Sequence, residues 1–144
     1  MNIIKRVALV TFSTVSMVAL ALPASAGSII IERAWAEWED NGADIFLTVR
    51  NTGDSKDVLY AVKTKIARQA KLEALSEADD RAGRNQTVLS FDIEPGQTLE
   101  LSEDGPHVEL RGVRRRLKEG DTFRATFYFE KAGPVFADVT VEED

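Results

Sequence analysis

Residues 121–130 read Asp-Thr-Phe-Arg-Ala-Thr-Phe-Tyr-Phe-Glu, a strict alternation. Phe123, Ala125, Phe127 and Phe129 fall on one side, and Thr122, Arg124, Thr126, Tyr128 and Glu130 on the other. Side chains two apart on a strand share a face, so this period predicts a β-strand with one buried side. The period recurs in residues 43–51, through Ile45, Leu47 and Val49, and in residues 135–141, through Val135, Ala137, Val139 and Val141. Residues 28–35, 57–64, 69–75, 86–93, 98–101 and 107–113 also read as strands. Turn signals separate the runs, among them Asn41-Gly42, Thr52-Gly53-Asp54, Pro95-Gly96, Asp104-Gly105-Pro106, Glu119-Gly120-Asp121 and Ala132-Gly133-Pro134. Short strands with a turn about every ten residues predict an all-β sandwich of roughly seven to nine strands. Its core should include Ile45, Leu47, Val49, Phe123, Phe127 and Val139. Ala70, Leu72, Ala74 and Leu75 are good helix formers, but their segment reads as a strand followed by a polar loop over residues 76–84.

The first 26 residues stand apart. Lys5 and Arg6 precede an apolar run over residues 7–22, and Pro23-Ala24-Ser25-Ala26 ends in a small-x-small pattern. That is the form of a cleaved secretory signal, too short for a comfortable membrane span. Residues 1–26 are expected to be removed, leaving residues 27–144 as one domain in the periplasm or outside the cell. A chain of that length buries roughly two thirds of its unfolded surface, enough for a core without staples. There is no cysteine, and both methionines, Met1 and Met17, lie in the leader.

The formal net charge is −6. Losing Lys5 and Arg6 makes it −8. Such a surface repels phosphate backbones and anionic lipids, so nucleic acid is not an expected partner, nor is membrane insertion of the mature chain. Enzymatic chemistry finds little support. A Ser-His-Asp triad would have to use the single histidine, no nucleophile elbow is present, and no glycine-rich phosphate loop appears. The run from Arg111 to Lys118, Arg-Gly-Val-Arg-Arg-Arg-Leu-Lys, is the one basic cluster. It is either a solvated loop or a dock for an acidic protein partner. Trp35 reads as core, while Trp38, beside the acidic bend 37–40, is open to either core or binding.

The single histidine, His107, follows the turn Asp104-Gly105-Pro106 and alternates with Val108, Glu109 and Leu110. His107 and Glu109 therefore share a strand face. The pair is either half of a metal site or a solvated polar face.

An ordered set of short pieces is similar to the periplasmic PCu(A)C copper chaperones. It comprises Arg33-Ala34-Trp35-Ala36, the strand Ile45 to Gly53, Asp57-Val58-Leu59, Pro95-Gly96, Gly105-Pro106-His107, Leu117-Lys118-Glu119-Gly120-Asp121 and Phe129-Glu130-Lys131-Ala132-Gly133. The resemblance implies a cupredoxin-like Greek-key sandwich, copper as cargo and a copper-receiving envelope protein as partner. The family's ligand pattern is His, ten residues, Met, twenty-one residues, then His-x-Met. Laid from His107, the last Met falls on Glu109, the middle Met on Asn85 and the first His on Ala74. The frame is kept and three of four donors are changed. Thioether sulfur suits Cu(I), imidazole suits Cu(II) and Zn, and carboxylate is harder still. Copper binding is thus expected to be weak or absent, with His107 and Glu109 as the remnant and Glu73, Glu77, Asp79 or Asp80 as a third donor. Two readings remain: copper handling in the cell envelope with a weakened Cu(I) site, or a metal-free binding or adaptor module on the same fold.

Overall fold

The alternating runs become strands with one face turned inward. In the computed structural model, which describes residues 28–39, 42–75 and 85–143, the described residues form ten strands and no helix. They are β1 (Ile29–Glu39), β2 (Gly42–Asn51), β3 (Asp57–Thr64), β4 (Gln69–Leu75), β5 (Asn85–Thr87), β6 (Phe91–Ile93), β7 (Thr98–Leu101), β8 (His107–Arg111), β9 (Thr122–Phe129) and β10 (Gly133–Glu142). Hydrogen-bonded neighbours follow the order β5-β4-β8-β2-β1-β10-β9-β3-β6, with β7 also on β2. Besides β1, β2 pairs with two further strands: Gly42 to Ile45 with β8, and Leu47 to Arg50 with β7. β1 runs antiparallel to β2 and parallel to β10 at Trp35 to Glu37. The sheet curls on itself as an all-β, cupredoxin-like sandwich.

All six expected core residues are buried, Phe123 the most exposed of them at 6%. Leu59, Leu101, Val108, Leu110, Phe129 and Val141 join them in one cluster. Trp35 is only half-buried, contrary to its reading as core. It packs on Phe46, with ring centroids 5.5 Å apart, and Arg33 covers its outer face at 4.1 Å.

The run 86–93, which reads as one strand, is two. β5 pairs with β4 and β6 with β3, and between them the Val88 N–H donates to the Leu72 carbonyl (2.8 Å). The chain crosses there from one end of the sheet to the other, leaving Leu89 exposed. Periodicity reports a face and not a partner, which is why the strand count is ten. β8 likewise stops at Arg111, because Gly112 adopts φ +64°, a left-handed conformation that ends the ladder.

One corner is held by two polar side chains with no exposure, Asn51 and Asp57. Asn51 Nδ2 donates to the carbonyls of Ser55 and Ile93, and its Oδ1 accepts from the Gly53 N–H. The Asp57 carboxylate accepts from the backbone N–H groups of Val58, Lys131 and Ala132 at 2.8–2.9 Å. Asp57 thus ties the start of β3 to the β9–β10 turn.

Candidate metal centre

The outward face of β4, β8 and β2 carries the histidine. Antiparallel partners share a face. Glu73 lies opposite His107, Lys71 opposite Glu109, and Asp44 opposite Glu109. His107, Glu109, Glu73 and Asp44 therefore converge on one side, while Val108, Leu110, Leu72 and Ile45 point into the core. His107 does not face water: it is 4% exposed. Phe46 packs edge-on against its ring at 6.5 Å, and the entering turn closes beneath it, with Ser102 N–H bonded to the Pro106 carbonyl.

The turn also orients the ring. Nδ1 lies 3.0 Å from the Gly105 carbonyl oxygen. A carbonyl only accepts, so Nδ1 carries the proton. Nε2 then faces Asp44, whose Oδ2 is 3.8 Å away, beyond hydrogen-bond reach. A backbone carbonyl on one nitrogen with the other left for a ligand is how metal-binding histidines are commonly held.

Carboxylates crowd the rest of the face. Burial pushes the Asp44 carboxyl up to about 6, and His107 only partly offsets it; Glu39, Glu109 and Glu73 add to the rise. Burial, then a hydrogen bond with Glu109, raises Glu73. Burial pushes Glu109 upward as well, but the Arg111 guanidinium and the bond with Glu73 outweigh it and hold Glu109 below its ordinary value. Arg111 Nε donates to Glu109 Oε2 at 2.6 Å, and its other nitrogen lies 3.8 Å from Glu73. The two glutamates thus flank one guanidinium, Glu109 in a hydrogen bond and Glu73 at longer range.

The raised Asp44 carboxyl sets a pH dependence. The folded chain holds this proton more tightly than the unfolded chain does, so the ionised form carries a cost above about pH 6 that is relieved as pH falls toward 4. Asp44→Asn should be more stable than the parent by about 1–2 kcal/mol at pH 8, the difference vanishing near pH 4. Urea unfolding of both proteins across that range checks the sign.

Of the four positions set by the spacing, His107 and Glu109 lie side by side. Asn85 opens β5 opposite Leu75, two residues along from Glu73. Ala74 adjoins Glu73, but strand alternation turns it the way of Leu72, so Glu73 and not Ala74 shares the face of His107. Glu77, Asp79 and Asp80 lie outside the described residues, as does the leader. Sequence reading missed Asp44. Its only signal is a polar residue near the start of β2, ahead of the apolar run Ile45-Phe46-Leu47, and its nearness to His107 depends on the β2–β8 register. As placed, the described residues hold no group of three or more His, Cys, Asp or Glu ready to clasp an ion. They contain no sulfur donor, since Met1 and Met17 precede them and cysteine is absent. This imidazole–carboxylate set does not fit Cu(I), which prefers thioether or thiolate.

Residues 29–141 match the family described as "LpqE-like: Putative lipoprotein LpqE-like". The chain belongs to the LpqE-like family. "Putative lipoprotein Lxx21020" of Leifsonia xyli subsp. xyli (strain CTCB07) is 25% identical over 119 residues, 77% of this chain and 72% of that protein. The LpqE-like chain also matches solved PCuAC domains. The copper-bound PCuAC domain from PmoF2 is 26% identical with a TM-score of 0.69, and the apo domain from PmoF1 is 26% identical with a TM-score of 0.71. Each match covers 83% of this chain and 97% of the other. The Cu(I) form of DR1885 from Deinococcus radiodurans is 27% identical, with a TM-score of 0.60 over 86% of this chain and 81% of that one. The LpqE-like domain is therefore PCuAC-related in fold and family. No helix among its described residues is long and apolar enough to cross a membrane.

Proposed function

We propose that this LpqE-like protein is exported to the cell envelope after removal of residues 1–26, and that residues 27–144 handle copper there through an altered site. His107 is the primary donor, and because Asp44, Glu73 and Glu109 share its face without closing on it as a ready-made set, the site is weak. The observation that carries this is the imidazole itself: buried, oriented by Gly105, and presenting Nε2 on a face of a fold whose relatives include copper-bound domains. The donor set favours Cu(II) or Zn over Cu(I). A copper-receiving envelope protein is the partner this role requires.

Titration of the exported protein with Cu(II), Zn and Cu(I) against a competing chelator tests the reading. Weak Cu(II) binding should appear, should be lost in His107→Ala, and should fall in acid because the ligands bind metal only when deprotonated. Tight Cu(I) binding would contradict the altered site. No binding of any ion would favour the second reading, a metal-free adaptor. That reading is supported by the Arg111–Glu109 bond, which already supplies a positive charge to the carboxylates.

A further inference from the structure

We propose that the outer face of β3, β9 and β10, with the β3–β4 connection beside it, docks an acidic polypeptide segment that presents an apolar side chain. Thr126 pairs with Lys63 on one side and Phe136 on the other, so these three form one row across the strands. Phe136 is 65% exposed and Tyr60, on the same face, 48%. Tyr60 lies 6.3 Å from Tyr128, and Lys63 Nζ stands 5.4 Å from the Tyr128 ring. At the end of the row is a cleft of about 470 Å³ whose floor is Ile66, Thr126 and Phe136 and whose cations are Lys63, Lys65 and Arg124.

The arginine run reaches the same place. The Arg114 N–H donates to the Ile66 carbonyl (2.8 Å), and the Arg68 N–H is shared between the carbonyls of Arg111 and Gly112. Two basic segments far apart in sequence thereby become one ridge. The rest of the run points elsewhere: Arg111 holds Glu109, Arg115 bonds Asp121 at 2.7 Å, Leu117 is buried, and Arg116 and Lys118 line a separate cleft with Glu119 and Glu142. The side chains of Lys65 and Arg114 are exposed and form no hydrogen bond or ion pair with the described residues.

Charge complementarity selects the occupant. The mature chain is strongly acidic, yet Lys63, Lys65 and Arg114 stand beside an apolar cleft with no carboxylate partner among the described residues, while Arg124 is paired with Asp138. A carboxylate-rich segment with one apolar side chain satisfies both at once, the apolar group in the cleft and the carboxylates on Lys65 and Arg114. A planar headgroup surface would leave the cleft unfilled. The surface is independent of the His107 face and does not rest on metal binding.

The test uses the exported full-length protein and a fluorescent synthetic peptide, Glu-Asp-Glu-Leu-Asp-Glu, read by anisotropy. Saturable binding is expected, weakening as salt rises. It should fall about tenfold in the Lys65→Glu, Arg114→Glu double variant and about tenfold with serine in place of the peptide's leucine, while Glu100→Gln, at an exposed position of β7 outside the cleft, leaves it unchanged. Phe136→Ser should weaken it too. All these protein positions are exposed, so folding is not at stake. The proposal is overturned if the peptide does not bind or if the variants bind it equally well. Binding to phosphatidylglycerol vesicles without peptide competition overturns it in favour of a membrane. Self-association abolished by the double variant overturns it in favour of a second copy of the chain.

Discussion

Asp57→Ala is expected to destabilise the domain by about 3–5 kcal/mol. Three backbone N–H groups converge on this carboxylate, two of them in the turn between β9 and β10, and the side chain has no exposure. Alanine would leave those three part-buried donors without their acceptor and open a void under the turn, so part of each donor's desolvation cost adds to the lost bonds. Asp57→Asn keeps one acceptor oxygen and should cost about half as much. Equilibrium urea unfolding measures both. A loss below about 1 kcal/mol for the alanine variant would mean that the corner is held by its backbone alone.

Replacing oxygen donors with soft ones should have a comparable effect on metal affinity. The triple variant Glu73→His, Asn85→Met, Glu109→Met is expected to gain Cu(I) affinity by about a hundredfold or more over the parent. The informative comparison is the same triple with Ala74→His instead. The motif spacing nominates Ala74, whereas the β4–β8 register places Glu73 on the face of His107. The Glu73 version should therefore bind Cu(I) more tightly, and chelator competition ranks the two. Equal affinity would show that β4 shifts to bring position 74 to the ion.

These cases mark what the sequence disclosed. The inward residues of β2, β9 and β10 were legible because period two is a local property, set by backbone geometry wherever one face is buried. His107 and Glu109 were legible as a pair for the same reason. The burial of His107 was not, because it depends on Phe46 and Glu73, which come from strands 61 and 34 positions back in the chain. Asp44 was invisible as a site residue because only the β2–β8 pairing brings it near Nε2. Glu73 falls in the strand expected over residues 69–75, but only its register with β8 shows that it lies opposite His107. The ligand spacing nominates residues on β4, β5 and β8, but spacing counts residues and does not say which way each one points.

The ends of the sheet path carry a further consequence. β5 and β6 are three residues long each, and β7, the spur on β2, is four. A long open edge is a template on which another chain can add strands, and proteins commonly blunt it. Here the terminal strands offer so few unpaired ladder positions that a stranger has little to zip onto. Lys56 and Asp92, in an exposed ion pair, further mark the β6 border with charge. A cysteine-free chain has no covalent means of keeping its sheet closed while it folds. Brevity at the borders is one device by which such a chain limits intermolecular strand addition.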